Sequence, residues 1–277
     1  MANVIAPSAQ WVPMFDEAYR LASLTGLLDS PADFAKWTHN AHKLEIPNML
    51  LPGLADYDRT TGYANADISI ETQIIDPTYE RGVRFVTDTL DVSEAMGEIG
   101  EGLGQLIRQS YAPELDAWRI ATYAAAEGVG KETGALETGE AVILALRVAV
   151  NAMDNAECPD SERVLFILPS LIGAVEDLDT TASRAVLARF GTIVRTPPSR
   201  MYETVSLDAS GYTGTGALNF LAVAKSAVIQ VQKHIAPKII SPEADQEGDR
   251  WLVGFRSTGY CAVYENKVAG VFAHIAA

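Results

Sequence analysis

The stretch LEIPNMLLPGLADYDRTTGYANADI, residues 44–68, holds too few apolar side chains to form a core of its own. Pro47, Pro52, Gly53 and Gly62 interrupt any helical period, and its middle, from Asp56 to Asp67, is polar. Just beyond it the pattern turns to strict alternation: Ile68, Ile70, Thr72 and Ile74, then Val83, Phe85 and Thr87 after Pro77 and Gly82. A period of two marks half-buried strands. Residues 44–92 therefore read as a long β-hairpin or extended loop, and an excursion of that length inside a compact domain is usually functional. It calls for a partner surface.

Working outward, the period changes to helical at Ser93, a good N-cap, and Met96, Ile99, Leu103, Leu106, Ile107, Tyr111, Leu115, Trp118 and Thr122 keep steps of three and four. The stripe exceeds the mean helix of about 11–12 residues more than twofold. It predicts one long helix backing a sheet, with a kink at Pro113, which lacks an amide donor. GVGKETGALETG (128–139) reads as a linker and 141–153 as a second helix. RVLFILP (163–169) reads as a buried strand, SLIGAVEDL as a helix, the segment running to Phe190 as another, and GTIVRT as a strand. Residues 197–217 read as a long loop, 219–227 as a strand or core segment and VIQVQKHIA as a short helix; two closing strands turn near Glu265 and Asn266. Strand and helix alternate here as in an α/β subdomain.

Upstream, Phe15, Tyr19 and Ala22 form one short apolar face and Phe34, Trp37 and Ala41 another, among Pro7, Pro13, Gly26 and Pro31. Pieces this short are not stable alone. They read either as a frayed terminus or as an arm that packs on something else.

Composition narrows the function classes. The 277 residues are 48% hydrophobic, which excludes disorder throughout, and the formal charge of −15 argues against a protein that grips DNA through clustered Lys and Arg. Two cysteines, Cys158 and Cys261, make neither a zinc cage nor a disulfide scaffold and suit a reducing compartment. No secretory signal is read at the start, and the apolar run 141–150 is too short for a bilayer and carries Arg147.

Constellations that could carry chemistry are weak. GEIGEGLG (97–104) lies inside the helical stripe beside Glu98 and Glu101, which repel phosphate, so its glycines read as close packing or pliability. GYTGTG (211–216) has no following Lys and is no P-loop. His39 and His42 lack a third ligand, His234 and His274 stand alone, and Cys261 reads as a small buried hydrophobe. Glu114 and Asp116 read as solvated or interface charges, with Asp116 and Arg119 able to pair across one turn. The expectation is a non-enzymatic protein without catalytic, cofactor or metal residues.

The order of parts (short arm, long β-loop, long helix, α/β subdomain, closing strands) resembles the major capsid proteins of tailed bacteriophages, which share the HK97-type fold. The resemblance covers about residues 44–274 and is carried by residues 44–68, with Gly53, Leu54, Asp56, Tyr57 and Arg59, and by RGVRFVTDTLDVSEA (81–95). Downstream it is carried by Asp116 in the long helix, by RVLFILPSLIGAVEDL, by FGTIVRTPPSRMY (190–202) and by the tail KSAVIQVQKHIAPKIISP with DRWLVGFRSTGYCAVYENKVAGVF. It implies an α+β, HK97-like capsid fold: N-terminal arm 1–43, extended loop and return strand 44–92, spine helix of a peripheral domain 93–137, axial domain 138–227, and closure of the peripheral domain 228–277. Trp11, Phe15, Trp37, Leu54, Tyr57, Arg59, Tyr63, Arg81 and Arg84 are then inter-subunit contacts. Gly97, Gly100, Gly102, Gly104 and Pro113 give the spine helix pliability, and Pro198, Arg200 and Tyr212 belong to an axial or surface loop.

The implied function is a shell of hexamers and pentamers around double-stranded DNA, enclosing it without specific binding. The implied partners are further copies, a portal, a separate scaffolding protein or none (about forty residues precede the loop) and decoration proteins. No cofactor and no membrane are implied, and the place is the virion capsid, assembled in the host bacterial cytoplasm. The alternatives are an encapsulin-type nanocompartment shell and, from another class, a cytosolic α/β enzyme.

Overall fold

The computed structural model describes residues 22–30, 36–37, 43–50, 53, 57, 59, 67, 69–76, 79–88, 104–240, 242–244, 248 and 250–277. Trp11, Phe15, His39, His42, Leu54, Tyr63, Gly97, Gly100 and Gly102 lie outside them.

The chain from residue 44 to residue 75 returns on itself as expected. β1 (Lys36–Trp37), β2 (Leu44–Leu50) and β3 (Ser69–Ile75) form an antiparallel three-stranded sheet in the order β1-β2-β3. Alternation splits its faces. Leu44, Ile46 and Ile75 are buried against Ile229, Val231 and Tyr260, whereas Ile70, Thr72 and Ile74 are exposed. β4 (Tyr79–Asp88) follows and pairs antiparallel with β11 (Arg250–Val263), which pairs with β10 (Val228–Ile240).

The long helix is described from residue 104 and carries a π turn over Ile107–Tyr111 before the regular helix α1 (Ala112–Ala125). The Ala112 amide reaches back five residues to the Ile107 carbonyl. Pro113 lies inside this continuous helix, directly after the π turn, whose widened ladder accommodates its missing donor. The irregularity expected at Pro113 thus takes the form of a shifted hydrogen-bond ladder just ahead of it. A Cβ built on Gly104 meets nothing within 4 Å, so this glycine is not demanded by close packing.

The second half builds a six-stranded mixed sheet in the order β5-β12-β9-β6-β7, with β8 paired to β9 beyond it. Its strands are β5 (Gly130–Gly134), β6 (Arg163–Ile167), β7 (Thr192–Arg195), β8 (Tyr202–Asp208), β9 (Gly211–Ala224) and β12 (Val271–Ala276). α2 (Gly139–Asn155), capped by the Thr138 side chain, packs on β12 and on α3 (Pro169–Leu178) and α4 (Thr181–Leu187). Every residue of β6 is buried, in keeping with its continuous apolar run. One hydrophobic cluster runs from α1 through this sheet to α2.

Three sequence expectations are corrected. Residues 197–217 are no loop: β8 and the first half of β9 form a hairpin from Tyr202↔Ala217 to Asp208↔Gly211. Their alternation was hidden among Thr, Ser and Gly, but Gly214 is required because a Cβ there would lie 2.1 Å from the Tyr202 ring. VIQVQKHIA is strand, not helix: its β-branched residues alternate, and β10 pairs along its length with β11. The linker 128–139 contains β5, parallel to β12, where Gly130 makes room for the Phe272 ring at 2.8 Å from a built Cβ. Because β12 joins β9 while β10 and β11 join β4, residues 228–277 contribute to both sheets.

Candidate assembly surfaces and the junction beneath them

Asp116 organises the middle of the molecule. Its carboxylate is 0% exposed and collects donors from three places. Oδ1 accepts from Ser23 Oγ at 2.7 Å, Thr25 Oγ1 at 2.6 Å and the Thr25 amide at 3.2 Å. Oδ2 accepts from the Leu24 amide at 2.8 Å and from Arg200 Nη1 at 2.6 Å. The same Arg200 nitrogen donates to the Ala22 carbonyl at 3.0 Å. The N-terminal segment, the long helix and the turn before β8 are thereby fastened at one buried charge.

One helical turn on, Arg119 (also buried) donates to Thr25 Oγ1 and to Gln232 Oε1, each at 3.2 Å, and lies 3.5 Å from Asp29. Gln230 on β10 donates to the Thr25 carbonyl at 2.9 Å and to Asp29 Oδ1 at 2.6 Å, and accepts from the Tyr123 hydroxyl at 2.8 Å. Glu114 takes the other side of α1: Arg81 grips it through two nitrogens at 2.7 and 3.0 Å, and the Tyr79 hydroxyl donates to it at 3.2 Å. Burial, then the neighbouring Tyr111 and Glu114, hold the Tyr79 hydroxyl far above its ordinary pKa. Glu114 and Asp116 are therefore buried structural anions, correcting the expectation of solvated charges. Such groups are tolerable only because each is paired and multiply hydrogen-bonded.

Several residues singled out in the sequence meet at this junction. Arg81 is turned inward to Glu114, and it also donates to the Gly211 carbonyl at 3.2 Å, tying down the tip of the β8–β9 hairpin. Arg200, expected in an axial or surface loop, leaves the short turn Pro198–Arg200 to reach Asp116, and the Tyr212 hydroxyl donates to the Ser199 carbonyl at 2.7 Å. Pro198 itself is exposed, as are Tyr57, Arg59 and Arg84. Trp37 lies in β1, paired with Leu44. Ser23, Thr25, Gln230 and Gln232 drew no attention in the sequence. Their only local sign was a Ser-Leu-Thr sequence able to offer hydroxyls and amides to an anion.

Three elements of this anchored body carry exposed large apolar residues. Ile70 and Ile74 on β3 are 63% and 55% exposed, while the root of their hairpin is pinned by Lys43–Asp76 at 3.0 Å, by Gln73 Nε2 to the Val263 carbonyl at 3.1 Å and by Asn266 Nδ2 to Asn48 Oδ1 at 3.0 Å. Phe85 and Val86, on opposite faces of β4, are 40% and 45% exposed. Leu144 and Val148 on α2 are 65% and 45% exposed. Ile70 with Ile74, and Leu144 with Val148, each share one face of their element. Among the described residues no group of three or more His, Cys, Asp and Glu is placed to hold a metal ion, and no helix is long and apolar enough to cross a membrane.

No family model matches the sequence, and no curated protein sequence matches it. Solved structures do match in fold. The capsid structure of the cyanophage P-SCSP1u is similar at a TM-score of 0.64 and 14% identity, over 87% of this chain and 85% of that one. The asymmetric unit of the bacteriophage PhiM1 mature capsid gives a TM-score of 0.63 at 13% identity, over 86% and 83% of the two chains. A virus-like particle from Pyrococcus furiosus gives 0.57 at 12%, over 96% and 98%. Sequence identity this low leaves the shared fold as the finding: this chain has the α+β, HK97-like capsid fold.

Proposed function

We propose that this chain is the major capsid protein of a tailed bacteriophage, assembling as hexamers and pentamers into an icosahedral head around double-stranded DNA. The observation that carries the reading is the likeness in fold to phage capsid subunits over nearly the whole of both chains. The exposed apolar residues on β3, β4 and α2 support it, since a shell subunit buries such groups against further copies. Head-to-tail contacts between unlike faces close into rings, as hexamers and pentamers require.

In this reading the outer part of the hairpin of residues 44–92 and the start of the arm of residues 1–43 lie on neighbouring subunits, with Trp11, Phe15, Trp37, Leu54, Tyr57, Arg59, Tyr63 and Arg84 as contacts, while residues 22–30 stay fastened to Asp116 and β10 within their own subunit. Arg81 keeps its role inside the subunit. Residues 93–137 supply the spine of a peripheral domain, 138–227 an axial domain, and 228–277 close the peripheral domain, with β5 and β12 crossing into the sheet of the axial domain. The partners are further copies, a portal, a separate scaffolding protein and decoration proteins. The charge of −15 suits a wall that repels phosphate within a Debye length of about 8 Å rather than gripping it. The product is part of the virion.

An encapsulin-type shell is the second reading, favoured by the likeness to the Pyrococcus furiosus virus-like particle over 96% of this chain. Electron microscopy of the purified chain tests both: icosahedral shells, tubes or capsomers are expected, and small globular particles overturn both. Nuclease-resistant double-stranded DNA inside particles from the native source selects the phage head, and particles carrying protein cargo instead select the nanocompartment.

A further inference from the structure

We infer that residues 22–30 are a strap that couples the N-terminal arm to the β8–β9 hairpin: while the strap lies on Asp116 the hairpin is held against α1, and when the strap lifts the hairpin root opens with it. The device belongs to a single subunit and so goes beyond the shell reading. Under that reading a pull on the arm ahead of residue 22 is felt at the hairpin.

Both parts are built to open locally. Of residues 22–30 only Thr25 and Leu28 are buried, and the segment holds one short turn, Thr25–Leu28. Of residues 202–217 none is buried; Met201 and Leu218 go inside only at the hairpin root. Segments with so little buried apolar surface open at a free energy below that of global unfolding. The hairpin therefore depends on its polar ties to α1, which are Arg200 to Asp116 at the root and, at the tip, the Gly211 carbonyl to Arg81 and so to Glu114.

The root tie and the strap share one buried anion. Asp116 accepts four hydrogen bonds from Ser23, Leu24 and Thr25 and one from Arg200. Arg200 Nη1 in turn divides itself between Asp116 and the Ala22 carbonyl. Lifting the strap strips those four donors and lets water onto the carboxylate. The Arg200–Asp116 pair then passes from a buried setting to a solvated one, where such pairs are weak. In the other direction, withdrawing Arg200 leaves the Ala22 carbonyl without that donor and the carboxylate without its cation, which loosens the strap. Coupling of this kind is reciprocal.

The far end of the strap is fixed elsewhere. The Ser30 amide donates to the Gln230 carbonyl at 2.9 Å, and the Gln230 amide donates to Ser30 Oγ at 3.3 Å. β10 is the outer strand of its sheet, so Ser30 takes backbone groups that the sheet leaves open there. These bonds involve no residue of the hairpin, which places the coupling in residues 22–25.

Hydrogen exchange read by mass spectrometry on the full chain tests the strap. Ser23→Ala/Thr25→Val removes both hydroxyl donors to Asp116 and leaves Arg200 and the hairpin sequence intact. Peptides from residues 202–217 should exchange at least about fivefold faster, together with those from 22–30, while β6 and α2 keep wild-type rates. Faster exchange in 22–30 with wild-type rates in 202–217 overturns the inference. If the variant loosens the whole molecule, exchange of the wild-type chain in rising, sub-denaturing urea decides. The strap and hairpin amides should then share one opening step that precedes global unfolding. A strap that opens while the hairpin stays protected, or a pair that opens only with the whole molecule, overturns the coupling. Particle formation enters neither measurement, so either result leaves the shell reading as it stands.

Discussion

Arg200 donates to Asp116 at 2.6 Å across the interior, from the turn before β8 to the middle of α1, and the carboxylate it meets is fully buried while its own side chain is 15% exposed. Removing one partner of a buried pair leaves the other uncompensated, which typically costs about 3–5 kcal/mol. Arg200→Ala is expected to lose stability in that range by urea unfolding. Asp116→Asn should lose less than Asp116→Ala, because the amide oxygen still accepts from Ser23, Thr25 or Leu24. A loss under about 1 kcal/mol for Arg200→Ala would place the pair among weak surface contacts instead.

This junction also explains what the sequence could and could not reveal. The apolar run of β6, the helical period of α2 and the alternation in β3 are local signals that survive in the fold. Asp116 is different: its donors come from Ser23, Leu24 and Thr25, more than ninety positions upstream, and from Arg200, 84 positions downstream. A local reading reaches only as far as Arg119, one turn away, and so assigns Asp116 to a surface pair. β10 is obscure in the sequence for a related reason. Val228, Ile229 and Val231 suit a strand, yet a nine-residue apolar-polar mix fits a helix equally well until β11 supplies its partner. The β8–β9 hairpin escaped because Gly and Thr stand where apolar residues usually mark strands.

Two glycines in helices should respond oppositely to alanine. Gly139 opens α2, and a Cβ there would lie 2.3 Å from the Ala174 carbonyl oxygen on α3. Backbone cannot yield as a side-chain tip can, so Gly139→Ala should cost about 1–3 kcal/mol through forced separation of the two helices. Gly104 has open space around its Cβ position. Gly104→Ala should leave the isolated subunit equally stable or firmer by about 0.5–1 kcal/mol, from the lower backbone entropy of the unfolded chain. Denaturant midpoints of the two variants beside the wild type decide both.

His274 gives the fold a pH dependence of definite sign. It is buried in β12, and desolvation holds its pKa below the ordinary imidazole value, with Glu132 pulling weakly the other way. The unfolded chain, with a histidine pKa of about 6.5, therefore takes up the proton first as pH falls. The stability contribution is complete above that value and declines as pH drops through it toward the lower folded pKa. Melting temperatures between pH 7.5 and 5 should fall more steeply for the wild type than for His274→Gln. Equal slopes would mean that the imidazole does not titrate differently in the two states.

The two thiols should differ in reactivity. Cys261 is buried in β11, and burial pushes its pKa up to about 12, so thiolate is scarce near neutrality and no reagent reaches it. Cys158 is half-buried, with its pKa raised by the same cause. With an aromatic disulfide reagent at pH 8 the folded chain should release at most one equivalent of chromophore, slowly, from Cys158, and the second only in denaturant. Rapid release of two equivalents would place Cys261 at an accessible surface.

The hairpin separates assembly from folding most cleanly. Its inner face, Leu44, Ile46 and Ile75, is buried on Ile229, Val231 and Tyr260, and its outer face carries Ile70 and Ile74. Both residues are more than half exposed, so Ile70→Ser/Ile74→Ser removes little intramolecular burial and should cost the subunit no more than about 1 kcal/mol, much of it strand propensity. Ile46→Ala, on the inner face, should cost about 2–5 kcal/mol. If the outer face seats on a neighbouring copy, the paired serine variant should shift the balance from particles to free subunits at a stability close to wild type. Ile46→Ala should lower melting temperature and particle yield together. Unchanged particle yield from the serine variant would show that this face stays in solvent, and a fall in melting temperature matching that of Ile46→Ala would show that it is buried within the subunit.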